Sequence, residues 1–90
     1  MKIEKGTIIR SIAGHDVGDF QVILDFDEQY ATVCDGKHRP LEKPKRKKLK
    51  HLSITNTVVD VAELQTNKSI RKVLRPFIEA AEKNFPKRRK

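Results

Sequence analysis

This chain has little of what marks a secreted, membrane-spanning or catalytic protein. It contains a single cysteine, Cys34, so no intramolecular disulfide is open to it, and that usage fits a reducing compartment. No segment approaches the roughly 20 apolar residues of a membrane helix. The opening Met1-Lys2-Ile3-Glu4-Lys5 leads into no apolar stretch of signal-peptide length. A cytoplasmic protein without a membrane partner is expected. Tryptophan is absent, and the aromatic residues are Phe20, Phe26, Tyr30, Phe77 and Phe85. Phe20, Phe26 and Phe77 fall in core-facing patterns, which leaves too few rings to stack successive single-stranded bases.

Catalytic signals are equally sparse. The chain has no glycine-rich phosphate loop, no serine in an activating context and no paired-carboxylate constellation. Asp25 and Asp27 lie two apart at a strand end, which terminates a strand more simply than it performs acid–base work. Cys34, His38 and His51 have no second Cys/His pair at zinc spacing. No enzymatic activity, metal, cofactor or small-molecule substrate is therefore expected.

What the chain does have is positive charge, unevenly placed. Its net charge is +8 over 90 residues, which suggests a polyanionic partner. Residues 1–42 hold 5 Lys/Arg against 8 Asp/Glu, whereas residues 43–90 hold 15 against 4. The partner is thus expected to meet the second half. The densest stretch is Lys43, Lys45, Arg46, Lys47, Lys48 and Lys50, six cations in eight residues. Like charges at this density repel, so the segment is expected to stay unpacked and mobile until neutralised. Removing the charges at residues 45–48 is expected to change stability little, or even to raise it by relieving the repulsion.

The pattern before this run is that of short strands. Residues 7–13 are rich in β-branched side chains, with Ile8 and Ile12 on one face and Ile9 and Ala13 on the other. Apolarity on both faces suits a strand covered from two sides. Residues 19–26 alternate, with Phe20, Val22, Leu24 and Phe26 sharing a face. Gly14 and Gly18 bound the connecting loop and permit the sharp reversal. A third strand over residues 30–34 ends at Asp35-Gly36, a strong hairpin signal. A fourth is expected over residues 37–42, at a sheet edge because Pro40 has no N–H to donate. Leu49 and Leu52 offer a short fifth strand.

Gly6, Arg10, Ala13-Gly14, Gly18 and the alternating run after them resemble the KOW motif of ribosomal proteins and transcription elongation factors. The segments Tyr30 to Gly36, Leu41 to Lys45 and Lys48 to Leu52 extend the likeness. In that order they resemble the small stand-alone bacterial KOW proteins related to large-subunit ribosomal protein fourteen of archaea and eukaryotes. The resemblance covers residues 3–58, and residues 66–74 more loosely. Where such loops often carry a basic residue before the second glycine, this chain has Val17, preceded by Asp16. The resemblance implies a small five-stranded SH3-like barrel, which five short strands at this spacing also suit. It also implies ribosomal RNA or a ribosome-assembly intermediate as partner, with ribosomal proteins nearby.

The last third changes period. Ile70, Val73, Leu74, Phe77, Ile78 and Ala81 recur at helical spacing, and Thr66 or Asn67 offers an N-cap. Lys68, Arg71, Lys72 and Arg75 occupy the other side, which is expected to face solvent or RNA. Pro76 predicts a kink or a division into two helices. Residues 55–65 fit either a short helix capped by Asn56 or a strand through Thr57-Val58-Val59. The expected organisation is a mainly β domain over residues 1–54, a helical extension over 55–85 packed on it, and a basic tail over 86–90.

Lysine-rich loops beside a rigid barrel suit the phosphates of structured RNA, read by shape more than by sequence. No helix is placed as a recognition helix for duplex DNA. The residues expected to contact RNA are Arg10, His15, Lys37, His38 and Arg39 in the first half. In the second half they are Lys43, Lys45, Arg46, Lys47, Lys48, Lys50, Arg71 and Arg75. Arg39 and Arg46 can add bidentate phosphate contacts that lysine cannot. The alternative is an interaction module binding an acidic protein of the transcription or translation apparatus.

Overall fold

In the computed structural model, which describes residues 3–84, the first β-branched run forms β1 (Thr7–Ser11). The alternating run forms β2 (Phe20–Phe26), and Tyr30–Cys34 forms β3. β4 is Lys45–Lys48, β5 is Leu52–Val58, and one long helix, α1, spans Asn67–Asn84. Short 3₁₀ turns at Leu49–His51 and Val61–Leu64 complete the described elements. All neighbouring strands are antiparallel, in the order β4-β3-β2-β1-β5. The protein is thus a five-stranded antiparallel sheet with a C-terminal helix. Among the described residues no helix is long and apolar enough to cross a membrane.

Successive side chains on a strand point to opposite faces, so a doubly apolar sheet carries two cores. Ile8, Val22 and Cys34 on one face meet Leu64, Ile70 and Leu74 from the 3₁₀ turn and α1. Ile9, Ile23, Ala31, Val33 and Leu52 form the second cluster on the other face. Ile8 and Ile9 are both fully buried, which accounts for the two-sided apolarity of β1. The Phe20, Val22, Leu24 face lies under the helix, with the Phe20 and Phe77 rings 5.7 Å apart. Leu24 is only half-buried there, and Phe26 is exposed. On the opposite face Gln21 and Ile23 are fully buried as well, so β2 is covered from both sides.

The expected fourth strand is displaced. Residues 37–42 form a loop, because the Asp35 carboxylate accepts hydrogen bonds from the backbone N–H groups of Lys37 and Arg39, both at 2.8 Å. Such a side-chain turn competes directly with a strand ladder. Asn67 Oδ1 accepts from the Leu41 N–H at 2.8 Å and its amide donates to Glu42, tying the loop to the helix start. The strand forms only after Pro44, in the lysine run itself.

The fifth strand begins at Leu52, where the expected one ended, and continues through Val58, past the boundary placed at residue 54. Asp60 accepts from the Ala62 N–H and opens the 3₁₀ turn, so Asn56 caps nothing. Thr66 Oγ1 accepts from the Ser69 N–H and caps α1. The helix then runs unbroken through Pro76, as one helix rather than two. Pro76 is exposed, so the Lys72 carbonyl that loses its partner lies on the solvent side. The basic tail at residues 86–90 and the end of the helical extension expected at residue 85 lie outside the described residues.

Candidate nucleic-acid interface

Four consecutive cations form β4 because β3 supplies the ladder, with Tyr30 opposite Lys48, Ala31 opposite Lys47, Thr32 opposite Arg46 and Val33 opposite Lys45. This pairing overturns the expectation of an unpacked, mobile run. It also separates the lysines. Lys47 faces inward and is buried, its Nζ donating to Asp16 Oδ1 at 2.7 Å and to the Ala13 carbonyl at 2.9 Å. Asp16 further accepts from Gln21 Nε2 at 2.8 Å and Ser11 Oγ at 3.2 Å, and Arg39 Nε stands 3.8 Å away. Burial alone would raise the Asp16 pKa. The hydrogen bonds from Lys47 and Gln21, with the Lys47 charge, outweigh it and hold the carboxyl far below its usual range. Lys47 is therefore a structural cation and drops out of the residues expected to contact a partner. Arg39 is half-buried beside the same carboxylate.

Lys43, Lys45, Arg46, Lys48 and Lys50 remain exposed along this outermost strand and its flanks. The Arg46 guanidinium lies 4.4 Å from the Tyr30 ring centroid and 3.3 Å from Asp27 Oδ2. Asp27 is itself fixed, accepting from the Tyr30 and Gln29 N–H groups at 2.7 and 2.8 Å. Those two bonds, with Arg46, keep its carboxyl below the ordinary range. Beside this group is a recess of about 370 Å³ lined by Glu28, Gln29, Tyr30, Lys48, Leu49 and Lys50.

A second constellation joins residues far apart in sequence. Arg10, Lys37, His38, Arg71 and Arg75 line one groove of about 610 Å³ between the sheet and α1, over Phe20, Leu74 and Ile78. Arg71 and Arg75 therefore flank the apolar stripe instead of opposing it. Arg71 Nη1 donates to the Gly36 carbonyl at 2.7 Å, and Arg10 Nε donates to that of Gly18 at 3.0 Å. Gly36 has φ +78°, and a Cβ there would lie 2.5 Å from the Asn67 carbonyl oxygen. Only glycine lets the loop close on the helix.

The groove also holds Asp19, Asp35, Glu79 and Glu82. Four carboxylates against four permanent cations make it electrically balanced. Asp19, Asp35 and His38 place ligand atoms within 4.8 Å of one another. Asp35 Oδ1 already accepts from two N–H groups, and the arginines alongside oppose a metal cation. Burial, with Asp35 and Asp16 nearby, pushes the Asp19 carboxyl up. Cys34, grouped with His38 and His51 in the sequence, is buried in the helix-side core.

His15 is exposed on the loop between β1 and β2, and lines neither the recess nor the groove. Asp16, Asp27 and Tyr30 were not among the expected site residues. Their roles come from pairing register and loop closure, which leave no local pattern. Comparison with protein-family models returns no match for this chain, and comparison with curated proteins returns none.

Proposed function

We propose that this chain is a non-enzymatic RNA-binding protein with a KOW-type SH3-like barrel. It holds structured RNA, ribosomal or in a ribosome-associated particle, by phosphate contacts along β4. The observation that carries this reading is the set of five exposed cations on and beside the outermost strand, which is paired with β3. Asp27 is the only carboxylate ion-paired with them among the described residues. A phosphate backbone neutralises such a row, and counterion release adds to the affinity. The antiparallel order with β5 beside β1 supports the barrel, as does the 3₁₀ turn between β4 and β5. The balanced groove attracts a polyanion less. Its apolar floor favours the second reading, docking of a protein partner, at that separate place.

Charged edges also block strand-to-strand aggregation, so the test must separate the two roles. Lys45, Arg46, Lys48 and Lys50 are replaced by Ala, with Lys47 retained. Binding of a folded ribosomal RNA fragment is then measured across a salt series. The slope of log affinity against log salt should fall by up to about 3, at roughly 0.7–0.9 per phosphate contact. The loss should be similar across RNA sequences, because phosphate contacts position a protein without reading bases. If affinity and slope both survive, β4 is not the RNA surface and the protein-partner reading leads.

A further inference from the structure

The recess beside β4 has a composition that simple phosphate binding does not call for. Tyr30 is the only tyrosine of the chain, and it forms part of the recess wall instead of joining either core. Arg46 braces the ring, with its guanidinium 4.4 Å from the centroid, and Asp27 holds Arg46 in place at 3.3 Å. Asp27 also fixes the Tyr30 backbone through the N–H bond at 2.7 Å. The aromatic side chain is thus held from both its backbone and its ring. Lys48 and Lys50 line the same recess, as do Gln29 and Glu28.

Glu28, lining the recess together with the two lysines, disfavours a bare phosphate there, yet its carboxylate can accept hydrogen bonds from the N–H groups of a base. A volume of about 370 Å³ falls in the range of roughly 300–1,000 Å³ typical of small-ligand pockets. We propose that this recess takes one unpaired nucleobase, stacked on Tyr30, with Lys48 and Lys50 on the flanking phosphates. The preferred RNA is then a helix interrupted by a single-nucleotide bulge, and not a perfect duplex. Single-base capture agrees with the scarcity of rings, because one braced tyrosine suffices. Splayed bases stacked on aromatic or arginine planes are the usual basis of specific RNA recognition. This inference rests on the RNA-binding reading and assigns to it a class of RNA structure.

The probes are two RNA hairpins with identical stems, one fully paired and one carrying a single bulged 2-aminopurine. The native protein should bind the bulged hairpin more tightly, by about 5- to 150-fold, the range for stacking one base on an aromatic side chain. The 2-aminopurine fluorescence should be quenched on binding. Tyr30→Leu should abolish the preference and the quenching while leaving the paired hairpin within about twofold. Arg46→Lys, which keeps the charge and removes the planar brace, should reduce both signals. Thermal unfolding of each variant confirms that the fold is retained. Equal binding of the two hairpins without quenching overturns the base site and leaves RNA binding standing. Failure to bind either hairpin overturns RNA binding itself.

Discussion

Replacing Lys47 by Met keeps the length of the side chain and removes its charge. The pair it forms with Asp16 is nearly water-free, with the side chains 6% and 8% exposed and Nζ to Oδ1 at 2.7 Å. Removing one partner of a buried pair leaves the other charge uncompensated, at a cost of about 3–5 kcal/mol. Asp16 keeps the bonds from Gln21 and Ser11, and Arg39 remains 3.8 Å away, so the lower end, about 3 kcal/mol, is expected. The total stability of a domain this size is on the order of 5–13 kcal/mol, so the loss is readily measured by urea unfolding.

The pH dependence should change sign. In the native protein the folded Asp16 pKa lies below its ordinary 3.8. Its stabilisation is present above that value and is lost as pH falls through the folded pKa. Without Lys47 the burial cost dominates and lifts the folded pKa above the unfolded one, so protonation then favours the folded state. The Lys47→Met penalty should therefore shrink between about pH 7 and pH 4. Adding Asp16→Asn should recover most of it, since the pair is then absent from both sides. A penalty under about 0.5 kcal/mol near pH 7, or one independent of pH, refutes the buried-pair account. The salt slope for RNA should be unchanged in this variant, because Lys47 does not reach the surface.

Leu74, 1% exposed beneath the sheet, should lose about 2–5 kcal/mol on replacement by Ala. Leu24, half-buried on the same face, should lose clearly less, and equal losses in urea unfolding would contradict the assignment of the core. Burial, with Asp35 nearby, pushes the Cys34 thiol up to about 11. At about pH 8 only about one molecule in a thousand carries a thiolate, so a disulfide reagent should label Cys34 at the rate of local or global opening. Immediate labelling of the native protein would refute its burial.

Local chemistry made much of this protein legible in its sequence. Alternation and the bounding glycines located β1 to β3, because strand period and turn geometry are properties of a few adjacent residues. The apolar stripe from Ile70 to Ala81 located the helix for the same reason, and the cation run located the most charged surface. Tertiary structure decided the faces and the gatherings. Both Ile8 and Ile9 had to be buried, but only the placement of α1 determined which of them lies beneath it. Arg10, Lys37 and Arg71 meet in one groove through the sheet and the loop clamp by Asn67, contacts that no sequence period encodes. The lysine run shows the limit most clearly. Nothing in Lys45-Arg46-Lys47-Lys48 distinguishes its members; the register with Tyr30 to Val33 does, because a one-residue slip would exchange the two faces of the strand. That register buries Lys47 against Asp16 and leaves Arg46 and Lys48 facing out.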